Sequence, residues 1–158
     1  MILLCAVSLL ILGCEDKQKP VSVSKFEKWD PTKNEGKGDW VAYDQKERFK
    51  HKFCTTIKFK LTLDVDITKD EQITFSTEKK AGWTKEMTFD PKSIDGPKKG
   101  KVEVLISLHF PDVEPWDQPP NKAKGDYEIE VQAVTVTTDT NVTEKGRVSV
   151  KIPINVDN

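Results

Sequence analysis

The chain has 158 residues, of which 32% are charged, and its 25 basic and 26 acidic side chains leave a formal net charge of −1. Nearly all the basic residues are lysines, since arginine occurs only at Arg48 and Arg147. This composition lacks the basic excess and the arginine forks that are typical of phosphate-binding surfaces. We therefore expect no nucleic-acid partner.

An apolar stretch, MILLCAVSLLILG, fills residues 1–13 and is followed by Cys14 and the charged run 15–19. The stretch is shorter than the roughly 20 apolar residues that cross a bilayer. A buried helix of a folded domain would not be apolar on every side and end in a block of charges. The length does fit the apolar region of a secretory signal peptide, which is about 7–15 residues.

The end of this stretch, Ile11-Leu12-Gly13-Cys14, resembles a bacterial lipobox. The resemblance implies a diacyl group on the Cys14 sulfur and a protein anchored to a membrane of the bacterial cell envelope, facing outside the cytoplasm. A plain signal peptide with an incidental cysteine is the alternative. The predicted organisation is a signal peptide over 1–13, the lipidated Cys14 with a polar tether over 14–24, and one domain over 25–158.

Period-two alternation of apolar and polar residues marks the predicted strands. The clearest, TTIKFKLTLDVDI at 55–67, places six apolar residues on one face and mainly charged residues on the other. Further strands are predicted in the following segments: DWVAYDQ (39–45), ERFKHKF (47–53), QITFST (72–77), WTKEMTFDP (83–91), KVEVLISLHF (101–110), YEIEVQAVTVT (127–137) and GRVSVKIPINV (146–156). The pattern predicts an all-β fold, an antiparallel β-sandwich of seven or eight strands, with one wet face on each sheet.

Several of these segments also carry a family resemblance, in a fixed order along the chain. The long strand KFKLTLDVDI leads into QITFSTEKKAGW, MTFDPKSIDGPKKG, the proline-ended KVEVLISLHFP, and KGDYEIEVQAVT with Gly-Asp-Tyr entering a strand. Over Phe53 to Thr137 this resembles the Ig-like domains of bacterial and archaeal surface proteins and glycosidases, including the alpha-galactosidase-associated and CARDB-type domains. The resemblance implies that the antiparallel β-sandwich is Ig-like, that it has a surface setting and that Trp83 lies in its core, and it implies no activity.

Catalytic signatures are not found in the sequence. The two histidines are His51 and His109, and neither a Gly-x-Ser-x-Gly nor a His-Glu-x-x-His motif occurs. Acidic residues such as Asp64 and Asp66 take the outward positions of alternating strands, which is typical of a solvated face rather than of a glycosidase pair. Cys54 is the one cysteine left in the predicted domain, so the domain cannot form an intrachain disulfide. Its hydrophobic core must therefore stabilise it. We expect a protein that is not an enzyme and has no cofactor or metal.

Four tryptophans, Trp29, Trp40, Trp83 and Trp116, raise the hypothesis of carbohydrate stacking. Trp116 and its neighbour Asp117 are the candidate ligand residues, because they lie in the long proline-rich loop 112–124, and long loops are often functional. Alternatively, Trp116 covers a sheet edge. The expected function is a lipid-anchored, non-catalytic envelope scaffold or interaction module with an envelope protein or glycan as its partner. A carbohydrate- or peptide-binding module that uses loop 112–124 is the second hypothesis.

Overall fold

The computed structural model describes residues 19–46, 48–50, 56–77, 87–109, 125–139 and 141–156, with the backbone alone at 49–50, 125–127 and 154–156. Ten strands fill most of this part of the chain. They are β1 (Val21–Asp30), β2 (Asp39–Ala42), β3 (Phe49–Lys50), β4 (Thr56–Ile67), β5 (Glu71–Thr77), β6 (Met87–Asp90), β7 (Ser93–Asp95), β8 (Lys98–His109), β9 (Gly125–Thr137) and β10 (Glu144–Val156). A single 3-10 turn, Asn34–Gly36, lies between β1 and β2.

The strands form two five-stranded sheets. The first sheet has the order β2-β1-β4-β8-β6, and the second has the order β3-β10-β9-β5-β7. Neighbouring strands run antiparallel except for β3, which pairs in parallel with β10. The predicted all-β sandwich is confirmed. It has ten strands rather than seven or eight, because β1 and the short β7 were not predicted.

One hydrophobic core lies between the two sheets. The alternation in β4 works as predicted: Phe59, Leu61 and Leu63 are buried, whereas Lys58 and Asp64 face solvent. The core is formed by Val21, Phe26, Tyr43, Phe59, Leu61, Leu63, Val65, Ile67, Ile73, Ile94, Val104, Ile106, Leu108, Ile129, Val131, Ala133, Val150 and Ile152. Burial of side chains of this size stabilises the fold by about 1.5–3 kcal/mol each before the cost of chain entropy.

Aromatic rings join the strands of this core. The rings of Phe26 on β1 and Phe59 on β4 are stacked, with centroids 5.5 Å apart. Tyr43, just after β2, meets the Phe26 ring edge-on and donates its backbone N–H to the Phe26 carbonyl at 3.0 Å. Between the two sheets, Phe75 stacks on Phe89 with centroids 5.4 Å apart. The first two contacts join β1 to β4 and to the end of β2, and the third joins the two sheets.

The folded part begins earlier than the sequence predicted. Residues 21–24 were assigned to the polar tether 14–24, but Val21 starts β1 and is only 1% exposed. Its strand pairs with β4 from Val21 opposite Val65 onward, and the Asp66 N–H donates to the Pro20 carbonyl at 3.0 Å. β1 therefore includes residues 21–24, the last four residues of the predicted tether.

Other predictions lie outside the described residues. These are the lipidation of Cys14, the core position of Trp83, the surroundings of Cys54, and the ligand residues Trp116 and Asp117 in loop 112–124. Each of them stays a prediction. The candidate site below is built from residues that the structure does describe.

Candidate ligand-binding groove

Two tryptophans meet on the outer face of the first sheet. Trp29 near the end of β1 pairs in register with Trp40 on β2. Their ring centroids are 5.3 Å apart and their planes are inclined by 67°, so the two indoles form an edge-to-face corner. Both side chains are only half-buried. The corner therefore leaves part of its indole surface in contact with solvent.

The turn between β1 and β2 sets this register. At its start the Asp30 carboxylate accepts hydrogen bonds from the backbone N–H and the hydroxyl of Thr32, at 2.9 and 2.7 Å. These hydrogen bonds hold the pKa of Asp30 below its usual value. Asn34 and Glu35 then adopt positive φ angles of 53° and 57°, in the left-handed region that few residues enter readily. The chain thus reverses over a compact turn and enters β2 with Trp40 opposite Trp29.

Gly38 leaves the space that the Trp29 ring occupies. It has a φ of +83°, and a Cβ atom built there would lie 2.6 Å from Cε2 and 2.9 Å from Cη2 of the Trp29 ring. Any other residue would therefore push the indole away as well as strain the backbone. Gly36, two residues earlier, has the same φ but no atom within 4 Å of such a Cβ. The close contact with Trp29 is thus specific to Gly38.

A groove of about 300 Å³ opens beside the tryptophan corner. Its lining residues are Trp29, Trp40, Lys58, Leu105, Ile106 and Ser107. In the β4–β8 ladder Lys58 pairs with Ser107 and Lys60 pairs with Leu105, which places these side chains on the outer face. Leu105 is 43% exposed, although it is a large apolar residue in mid-strand. The groove therefore combines aromatic and aliphatic walls with one ammonium and one hydroxyl group.

A shielded ion pair supports one side of the corner. Glu27 is only 4% exposed, although it lies on the outer face opposite Lys60. Its Oε1 lies 2.7 Å from Lys25 Nζ and its Oε2 lies 3.3 Å from Lys60 Nζ. The geometry at Oε2 is that of an ion pair without a hydrogen bond. Lys60 Nζ also lies 5.1 Å from the centre of the Trp40 ring, a distance suited to a cation–π interaction.

Two opposing effects act on the Glu27 carboxyl group. Burial disfavours its charged form and by itself would raise the pKa, but the contacts and positive charges of Lys25 and Lys60 outweigh burial and lower the pKa below the ordinary 4.5. The carboxylate lies on the solvent side of the sheet beneath flexible lysine side chains, so its covering is shallow. Glu27 is thus ionised at neutral pH and holds Lys60 beside Trp40.

Lys58 differs from Lys60 in having no such partner. Among the residues that the structure describes, no carboxylate lies within ion-pair distance of Lys58 Nζ. The side chain is exposed at the wall of the groove. Within the part of the chain that the structure describes, its positive charge thus has no carboxylate partner beside the tryptophan corner.

The sequence named Trp29 and Trp40 among four tryptophans but selected Trp116. It gave no sign that Trp29 and Trp40 face each other, because their pairing depends on the turn, and it did not connect them with Lys58 or Leu105. Over the described ranges no group of three His, Cys, Asp or Glu side chains is arranged to hold a metal ion. Nor does any helix in this part of the chain have the length and apolarity to cross a membrane.

No family model matches the chain, and no curated protein matches it. The resemblance to surface Ig-like domains accordingly stays a prediction.

Proposed function

We propose that the protein is a non-catalytic interaction module of a bacterial cell envelope, held at a membrane by lipid on Cys14, which binds its partner through the groove beside Trp29 and Trp40. The tryptophan corner is the observation that supports this most. Tryptophan is enriched where surfaces bind, because it offers a large rigid contact area. Here Gly38 leaves room for the Trp29 ring, and Lys60 Nζ lies over the Trp40 ring, before any ligand arrives. This preorganisation lowers the entropy cost of binding.

Chain length places the domain close to its proposed anchor. Six residues separate Cys14 from Val21, so at about 3.3–3.6 Å per residue the lipidated residue lies within about 25 Å of the start of β1. Trp29 is eight residues further along the same strand, which at about 3.3 Å per residue is on the order of 25 Å from Val21. The groove thus lies at the opposite end of β1 from Val21, the end of the strand that the proposed anchor segment enters.

The anchor is tested by labelling. When the full chain is expressed in a bacterial host with labelled palmitate, we expect the label in the protein and the protein in the membrane fraction. Cys14→Ser should abolish the labelling and release the protein to the soluble fraction. Cys54→Ser is the matched control and should keep both. The host is one whose isolated envelopes do not retain the purified Cys14→Ser protein, so membrane association that survives in this variant would rule out the anchor.

The binding face is tested separately with the same chain. Isolated envelopes of the source bacterium should retain the Cys14→Ser protein, which no longer depends on its anchor. Adding Trp29→Ala and Trp40→Ala should reduce that retention, and Glu128→Gln on the second sheet should leave it unchanged. Equal retention of all variants would contradict a role for the groove.

A further inference from the structure

We propose that the groove binds an acidic glycan, with the ring of a sugar against the tryptophan corner and its carboxylate on Lys58. This inference rests on the proposed function of the groove as the binding face and adds the chemical class of the ligand. The volume of about 300 Å³ is at the lower end of the roughly 300–1,000 Å³ of ligand pockets, which suits a small unit such as a sugar ring.

The position of the groove in the sheet favours a glycan over a peptide strand. An extended peptide gains much of its affinity by adding main-chain hydrogen bonds to a free sheet edge. The groove instead lies on the face of the sheet, over β1, β4 and β8, and the backbones of these strands already pair with their neighbours. Because β1, β4 and β8 are the inner strands of the first sheet, a ligand in the groove contacts mainly side chains.

Those side chains match the two sides of a sugar ring. The C–H groups on one face of a pyranose are apolar and pack against indole, while the hydroxyl groups at its edge need polar partners or water. The corner of Trp29 and Trp40 supplies the aromatic surface, and Ser107 in the wall supplies a hydroxyl group. Because the groove is open to solvent, the remaining sugar hydroxyl groups stay hydrogen-bonded to water.

The charge of the groove selects an acidic sugar. Lys58 has no carboxylate partner in the described part of the chain, so it can pair with a ligand carboxylate without breaking an existing ion pair. Lys60, by contrast, is held by Glu27 at 3.3 Å. An aromatic corner would also attract a cationic ligand, but the ammonium groups of Lys58 and Lys60 repel one.

A comparison of paired glycans tests the inference. The purified full chain is titrated with uronic-acid and sialic-acid oligosaccharides, each beside a neutral oligosaccharide of the same linkage. We expect the acidic members to bind, and their neutral counterparts to bind about tenfold more weakly, the loss expected for one hydrogen bond to a charged group. Lys58→Gln should bring the affinity for the acidic glycan down to that for the neutral one, and Trp29→Ala should remove binding of both.

Lys101→Gln is the matched control. Lys101 is an exposed lysine of the same sheet, and it lies opposite Asp64 in the β4–β8 register, away from the groove. It should leave all affinities unchanged, and unfolding curves should show that each variant is folded.

Equal binding of acidic and neutral glycans, or binding that survives both Lys58→Gln and Trp29→Ala, would overturn the inference. So would preferential binding of an acidic peptide such as oligoglutamate. If envelope retention depends on Trp29 and Trp40 but no glycan binds, an acidic glycan is ruled out as the ligand. The proposed function of the groove as the binding face then remains.

Discussion

The outer faces of the two sheets differ, although both come from strands with the same alternating pattern. On the second sheet, exposed charges pair with each other: Lys151 lies 2.8 Å from Glu128, and Arg147 lies 2.7 Å from Glu144. Their side chains are about half exposed. On the first sheet, Glu27 is shielded by its neighbours and the tryptophan corner lies beside it. The first sheet also has an exposed pair, Lys99 with Asp66, but among the described residues it alone combines such a pair with a shielded ion pair beside two tryptophans.

Shielding decides how much these interactions contribute. Ion pairs exposed to water are screened and contribute little to stability, whereas shielded ones are screened less. The side chains of Glu27 and Lys60 are only 5% and 16% exposed. On the first face Lys58, which has no carboxylate partner among the described residues, lies beside the tryptophan corner. This comparison teaches that charge count alone does not separate a solvated face from a candidate site.

The largest effect is expected at Gly38, which holds the tryptophan corner in place. Gly38→Ala combines a left-handed backbone, which costs about 1–2 kcal/mol, with a clash against the Trp29 ring. Gly36→Ala carries the same φ strain and has no such contact. We expect Gly38→Ala to lower the free energy of unfolding in urea by more than Gly36→Ala and to change the tryptophan fluorescence. Similar losses and unchanged fluorescence in both variants would show that Gly38 does not position Trp29.

The second prediction concerns the shielded carboxylate on the same face. Glu27→Gln removes the negative charge between Lys25 and Lys60. We expect it to cost about 1.5–2 kcal/mol, the lower part of the range for a hydrogen bond to a charged group, because the cover is shallow. Glu103→Gln is the matched control, since Glu103 contacts the same Lys60 at 3.8 Å but is 64% exposed. It should cost less. If both substitutions cost the same in urea unfolding, shielding does not distinguish the two contacts.

The third prediction gives the pH dependence of the same ion pair. Folding lowers the pKa of Glu27 below 4.5, so its contribution to stability is complete above that value and is lost as the pH falls through the lowered pKa. The difference in free energy of unfolding between the parent protein and Glu27→Gln should be constant near neutral pH and should shrink in acid. Asp30 and Glu144, whose pKa values are also lowered, cancel in this difference. A difference that stays constant down to pH 3 would contradict the assignment.

Alternation predicted the strands that keep a single inward face, and it failed where the backbone shifts phase. The segments within β4, β8, β9 and β10 alternate because every second side chain packs into the core over part of each strand, as at Val104, Ile106 and Leu108 of β8. In β1 a bulge between Val23 and Lys25 shifts the pairing with β4. As a result Val21 and Phe26 both reach the core although they are five positions apart, and Val23 is 37% exposed. A strict period of two cannot detect such a strand.

The candidate site was harder to predict than the fold, because it depends on register. Tryptophan and turn residues are visible in the segment WDPTKNEGKGDW, but the opposition of Trp29 and Trp40 requires the positive φ angles of the turn. Lys58 and Leu105 come from β4 and β8 and reach the groove only through the order of strands in the first sheet. Sequence reasoning selected Trp116 because a long proline-rich loop is a local feature, and that choice stays a prediction.

The smallest effect is expected on the second sheet, at the exposed pair of Lys151 and Glu128. Glu128→Gln removes one charge and keeps the shape of the side chain, so the loss should be about 0.2–1 kcal/mol, the range for exposed ion pairs. Because both side chains are about half exposed, 1 M salt, with a screening length of about 3 Å, should abolish most of that difference. A larger share of the loss caused by Glu27→Gln should persist in the same salt, since that residue is only 4% exposed. Urea unfolding of both variants at low and high salt measures this contrast directly. If salt erased both losses equally, the two outer faces would be energetically alike, and the packed character of the first face would have to come from its tryptophans alone.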